Sequence, residues 1–346
     1  MRCDLAVVGA GPAGSLAART AAAAGLEVLL VERRRQVGRP VQCAEYVPRA
    51  LTRWVELPSA AVARATAELK TVLPDGEEEL TRAPGFVLRR EVFDRMLAEA
   101  AVAAGARLIT GTRAWFGGGE LRLEGGEAVE ARVILGADGP TSTVGRHLGS
   151  RNRGFVAAWQ ERRELSREFT EPQIHFRPAF PGGYAWVFPK EGNRANIGVA
   201  LEGNPRRALA EFLQTLPRGL VKRGRPLAAG GGLVPVGGML PVVQRENLLL
   251  AGDAAGLTHP VSGAGILSAV VSGTLAGRQV ARALQAGDLA LLAEYPALLE
   301  RELGGSLRRA QTKRQEMLAG WSREGKAFRE LVRRTWLAFP GYHEGG

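Results

Sequence analysis

Two stretches far apart in the chain carry residues suited to holding a charged, hydroxyl-rich molecule. The first is Gly9-Ala10-Gly11-Pro12-Ala13-Gly14, with Glu32 following 18 residues after the last glycine. Gly9 permits a tight turn, Gly11 lets a pyrophosphate approach the backbone, and Gly14 lets a helix pack on a strand; Pro12 and Ala13 complete the turn. The Glu32 carboxylate suits both hydroxyls of an adenosine ribose and repels a 2′-phosphate, so the motif fits FAD or NAD rather than NADP. Arg33 follows at once and is grouped with it. The second stretch is Ala251 to Ile266, AGDAAGLTHPVSGAGI. Gly252 and Asp253 follow an apolar run from Asn247, which places the Asp253 carboxylate at a strand end, ready to accept hydrogen bonds from a polyol. Gly263, Ala264, Gly265 and Ile266 open a long apolar helix, whose N-terminus favours negative charge. A ribityl chain is a polyol and a reduced flavin is anionic, so this loop suits a flavin better than a nicotinamide. Ordinary strand-loop-helix connections use the same turn residues.

The elements that position these loops are legible around them. Cys3 to Val8 reads as a buried strand, an Ala-rich helix runs to about Ala24, and a second strand covers Glu27 to Val31. Pro74-Asp75-Gly76 turns between two alternating runs, and Arg89 to Ala104 places Val92, Phe93, Met96, Leu97 and Ala100 at helical spacing. Val133 to Gly136 is a buried strand entering Asp138-Gly139. Residues 151–240 lose this rhythm and show strand-like runs, among them Tyr184 to Pro189 and Ala195 to Leu201. The nucleotide-binding pattern returns at Leu248. The fold class expected is α/β: a discontinuous Rossmann-like FAD-binding domain (1–46, 85–150, 241–288), an inserted antiparallel-sheet substrate domain (47–84, 151–240), and C-terminal helices (289–346).

Composition narrows the partners. The formal charge is +11, from 46 basic and 35 acidic residues, but no basic run is interleaved with aromatics, so nucleic acid is not expected. Two cysteines, Cys3 and Cys43, exclude a disulfide framework, and His259 has no second histidine spaced for a metal. The start leads straight into the first strand and no apolar run spans a membrane, so a cytoplasmic protein is expected.

Cys43 differs from Cys3. It lies in the polar stretch Pro40-Val41-Gln42-Cys43-Ala44-Glu45, near Arg39, where a thiol would lean toward thiolate. Tyr184, Trp186 and Phe188 alternate along a strand and so share one face, either a core face or a pocket wall. The glycine motif, the Asp138 turn and the Gly252-Asp253 motif, in that order, resemble the FAD-dependent hydroxylase-type superfamily. The cysteine stretch and Tyr184-Ala185-Trp186-Val187-Phe188-Pro189 resemble the geranylgeranyl reductase family. The resemblance implies FAD held by the residues named above and by Arg90 and Asp138. Arg90 also reads as a surface arginine, and Asp138 as a plain turn. It further implies Cys43 and Glu45 near the reaction centre, Tyr184, Trp186 and Phe188 lining a pocket for an isoprenoid or other lipid-like molecule, and NAD(P)H or another donor as reductant. The activity implied is flavin reduction of prenyl double bonds. A flavin monooxygenase and a non-catalytic electron-transfer module are the alternatives.

Beyond that resemblance, Leu307, Met317, Leu318, Trp321, Phe328, Leu331, Val332 and Trp336 form one stripe near a period of 3.6. The opposite face carries Arg308, Arg309, Lys313, Arg314, Arg323, Lys326, Arg329, Arg333 and Arg334. Such helices pack on a parent domain or lie in an anionic lipid surface, here the inner face of the membrane. Gly320 and Gly325 predict a break between two helices.

Overall fold

The computed structural model describes residues 1–321 and 325–344. Two eight-stranded sheets organise the chain. The first contains β1 (Arg2–Val8), β2 (Val28–Glu32), β6 (Arg107–Thr110), β9 (Ala128–Gly136), β15 (Gln244–Arg245) and β16 (Leu248–Leu250), in the order β15-β16-β9-β1-β2-β6. The hairpin β7 (Ala114–Gly117) and β8 (Glu120–Leu123) joins it through β9. Its central pairs are parallel, and β1, β2 and the end of β9 are buried on both faces, which requires the continuous apolar runs seen there.

Helix α1 (Pro12–Ala23) crosses from β1 to β2 and packs on α5 (Ile266–Gln285). Small residues set the approach. A Cβ on Gly273 would come 2.1 Å from the Ala13 carbonyl oxygen, and one on Gly277 would come 2.6 Å from that of Ala17. The Ala-rich sequence of α1 and this glycine pair in α5 lock the two cofactor loops to each other.

The second sheet runs β14-β10-β13-β12-β11-β4-β5-β3, where β3 is Tyr46–Pro48, β4 Val62–Val72, β5 Glu78–Leu88, β10 Phe155–Glu164, β11 Gln173–His175, β12 Tyr184–Pro189, β13 Arg194–Leu201 and β14 Ala228–Pro235. It is antiparallel except where β11 lies parallel to β4, joining the two inserted blocks. Strand β5 carries this sheet to Leu88 rather than to residue 84. The alternation of β12 sends Ala185 and Val187 to a core under α4 (Pro205–Thr215), a helix the strand-like reading of residues 151–240 did not anticipate. Helix α2 (Arg90–Ala103) follows β5, and α3 (Thr143–Leu148) follows β9.

Beyond α5 come α6 (Tyr295–Leu299), α7 (Gly305–Ala319) and α8 (Gly325–Thr335). Most of the apolar stripe packs on the second sheet: Met317, Trp321, Phe328, Leu331, Val332 and Trp336 are buried there, Leu307 is buried in the core of the first sheet, and Leu318 alone stands out at 38% exposure. Withdrawing Phe328, Leu331, Val332 and Trp336 would cost roughly 1.5–3 kcal/mol each, so these side chains are not a lipid-facing surface. Much of the basic face is paired. Arg329 pairs with Asp75 and Glu77, Arg333 with Glu77 and Glu79, and Arg334 with Glu316. Arg314 is buried and bonded to Glu202 and to the carbonyls of Gly182 and Pro260. The acids come mainly from the β4–β5 hairpin, more than two hundred positions away in the chain. Arg323 lies outside the described residues. No helix among the described residues is long and apolar enough to cross a membrane.

Two histidines make the fold acid-sensitive. Burial, with the charge of Arg177 adding to it, pushes His175 down to about 4, and burial pushes His259 down to about 4. The unfolded chain therefore takes up protons first, so stability is full above pH 6.5 and is lost as the pH falls toward 4. Each should contribute roughly 1–3 kcal/mol to that loss. Unfolding midpoints measured from pH 7.5 to 4 should fall through this window, and the fall should be shallower in His175→Phe.

Candidate functional site

A cavity of about 940 Å³ lies between the two sheets, at the upper end of ligand-pocket sizes. Gly9, Gly11, Pro12, Ala13, Glu32, Arg33 and Asp138 line it, as do Asp253, Gly263, Ala264, Gly265 and Ile266 and the aromatics Tyr184, Trp186 and Phe188. Residues read separately from the sequence thus share one space. Gly14 stands behind the cavity wall, as a packing glycine should.

The glycine loop divides its roles by geometry. A Cβ on Gly14 would sit 1.8 Å from the Gly9 carbonyl oxygen, and one on Gly9 would sit 2.4 Å from that of Ala137, at a φ of +101°. At Gly11 a Cβ would meet no protein atom within 4 Å, so its missing side chain leaves room for a ligand rather than for the fold. Glu32 accepts from the backbone N–H of Ala10 at 2.9 Å and of Arg34 at 2.9 Å. A carboxylate has about four acceptor positions, so two remain for a vicinal diol. The cradle and this donor set fit the adenosine diphosphate half of FAD.

Asp253 fits a polyol. Thr258 donates to its Oδ1 at 2.8 Å, and Gly265 allows the close approach, since a Cβ there would lie 3.0 Å from the same oxygen. Burial raises the Asp253 carboxyl above its usual range, while Thr258 and Arg90 oppose the rise. The expected donors in the loop are fewer than the sequence implies: Gly263 N–H already bonds the His259 carbonyl. The Asp138 carboxylate is likewise occupied, accepting from Ser142 Oγ and from the backbone and hydroxyl of Thr143. It fixes the start of α3 at the cavity rim. Arg90 is not a surface arginine. It lines the cavity and holds Asp94 through two 2.8 Å bonds.

The expectation that Cys43 leans toward thiolate is reversed. Its thiol lines the cavity beside Arg90, but burial raises its pKa more than Arg90 and the Glu45 N–H lower it, so it rests protonated. Glu45, expected beside the reaction, is a buried tie. Fully enclosed at a φ of +75°, its carboxylate accepts from Arg90 N–H at 2.8 Å, Lys190 Nζ at 2.9 Å and Arg162 at 3.1 Å, and from Asn196. With every direction filled by donors, it ties the Cys43 loop to α2, β10 and β13.

Sequence reading missed Lys190, Arg162 and Asn196, because the register that brings the end of β12 beside β10 and β13 matters more than their spacing. Lys190 did carry a signal, as one of few lysines in an arginine-rich chain, directly after Pro189. Also missed were Trp336 and Leu337, which reach the cavity from the C-terminal segment. The Trp336 ring lies 5.3 Å from that of Tyr184 and extends its wall.

The comparisons agree with this geometry. The FAD dependent oxidoreductase family profile matches residues 4–135, and the geranylgeranyl reductase catalytic domain profile matches residues 163–234. A digeranylgeranylglycerophospholipid reductase of Methanocella arvoryzae is 35% identical, over 88% of this chain and 84% of its own. One of Methanothrix thermoacetophila is 36% identical, over 83% and 80%. A geranylgeranyl bacteriochlorophyll reductase-like structure from Thermoplasma acidophilum superimposes with a TM-score of 0.84 at 25% identity, covering 97% of this chain and 96% of that one. A probable FAD-dependent monooxygenase from Pseudomonas aeruginosa, at 20% identity and a TM-score of 0.72 over 96% and 100%, shares the fold.

Proposed function

The chain belongs to the geranylgeranyl reductase family of FAD-dependent oxidoreductases, and from that premise we propose that it saturates double bonds in the prenyl chains of a glycerophospholipid. The observation that carries the reading is the continuity of one cavity, from the FAD cradle past Cys43 to the apolar wall of Tyr184, Trp186, Phe188 and Trp336. FAD held in the cradle of Gly11, Glu32 and Asp253 would, when reduced by NAD(P)H or another donor, supply the hydride that one alkene carbon needs. An unactivated alkene polarises poorly, so the protein must orient it and exclude water. The aromatic wall performs both tasks, gripping a hydrocarbon chain by area. The other alkene carbon takes a proton, for which Cys43 is suited: its half-buried thiol on the cavity wall keeps the proton at Sγ, and Arg90 stands ready to stabilise the sulfur once the proton has left.

The test is anaerobic reduction of the purified flavoprotein, followed by mass spectrometry of added prenyl phospholipids. A gain of two mass units per reduced bond is expected. Product formed only with oxygen, and heavier by an oxygen atom, would make the protein a monooxygenase; a reduced dye with every lipid intact would make it an electron-transfer module. In Cys43→Ala, FAD content should be kept while turnover falls about tenfold or more. Unchanged turnover would leave Cys43 a small packing residue.

A further inference from the structure

Seven buried side-chain polar atoms have no hydrogen-bond partner among the described residues. Only two of their residues line the cavity, Trp186 and Gln160, whose orphan atoms are Nε1 and Oε1. They are neighbours. Gln160 on β10 and Trp186 on β12 both register with Gly198 on the strand between them, so the three form one row across the sheet. Cross-strand partners point to the same face.

Gly198 makes the row work. A Cβ there would lie 2.5 Å from Trp186 Cε2, the carbon bonded to Nε1, and 2.7 Å from Gln160 Cβ. The indole therefore lies across the glycine toward Gln160. Both side chains are more than nine-tenths buried, at 5% and 7% exposure. The orientation of the amide is fixed by its other end, since Gln160 Nε2 donates to the Cys43 carbonyl at 2.6 Å. Turning it over would set two oxygens against each other.

We propose that Trp186 Nε1 and Gln160 Oε1 form a two-point site for a single O–H group at the cavity wall beside Cys43. An indole nitrogen only donates and an amide oxygen only accepts. The occupant must therefore accept one bond and donate another through the same oxygen. Water does this, and so does an alcohol on the substrate. An ether, an ester carbonyl or a bare hydrocarbon does not, and a hydrocarbon filling this part of the cavity would leave both atoms without partners, a costly arrangement. Gln160 is thereby a positioning residue, linking the occupant to the backbone of Cys43.

The inference rests on the reductase reading only in its kinetic arm. A crystal structure of the FAD-loaded protein should show one oxygen within about 2.7–3.2 Å of both atoms. In Trp186→Phe, which keeps a ring on the wall, that oxygen should be lost or displaced. Turnover of a prenyl alcohol and of the matching hydrocarbon then identifies the source. If the site holds water, Trp186→Phe lowers kcat for both and shifts their KM values equally. If it holds the substrate's own hydroxyl, KM rises about tenfold more for the alcohol than for the hydrocarbon. No oxygen at the pair, or an oxygen unmoved in Trp186→Phe, would overturn the proposal. A protein that reduces no prenyl substrate defeats the functional reading, while the density still decides this one.

Discussion

Glu45→Ala is expected to destabilise the protein by about 3–5 kcal/mol, the range for breaking a buried ion pair from one side. Lys190 is 1% exposed, and its partners are the Glu45 carboxylate and the Leu88 carbonyl. Alanine would leave that ammonium in the interior with no counter-charge, and would free Asn196 and the first N–H of α2. Denaturant titration followed by flavin and tryptophan fluorescence measures the loss. Glu45→Leu combined with Lys190→Met should recover much of it, because the stranded charge is then gone. If Glu45→Ala instead changed stability by less than about 1 kcal/mol and abolished turnover, the residue would be an acid–base group and not a tie.

The second large effect separates two glycines three positions apart. Gly11→Ala should leave folding unchanged, because a Cβ there meets no protein atom, yet lower FAD affinity about ten- to a hundredfold by filling the space a pyrophosphate needs. Gly14→Ala should cause a similar loss of FAD and a loss of stability as well. Its Cβ would sit 1.8 Å from the Gly9 carbonyl oxygen, so α1 must shift away from β1 and strain its contact with α5. Overpacking of this kind costs about 1–3 kcal/mol. The readouts are FAD content per chain and the thermal midpoint of protein stripped of flavin. Equal stability losses in both variants would remove the distinction between a ligand-facing and a fold-facing glycine.

Much of this protein is determined locally and can be read in one dimension. The strand, glycine turn and helix at residues 3–24 form where they are written, because apolar runs, glycine spacing and helix-forming alanines act over a few residues. The same holds for the shared face of Tyr184, Trp186 and Phe188, since strand alternation has a fixed period of two. Register and burial are different, because they depend on which strands become neighbours. That Glu45 is a tie follows from Lys190, Arg162 and Asn196 arriving from more than a hundred positions away. That Cys43 stays a thiol follows from enclosure, which composition around it cannot report. The basic C-terminal helices read as a charged surface until the β4–β5 hairpin supplies Asp75, Glu77 and Glu79. Sequence determined which chemical groups this protein has and the local elements that carry them. Tertiary structure alone decided which of those groups remain free to act, because electrostatics and hydrogen bonding act through space, whatever the separation along the chain.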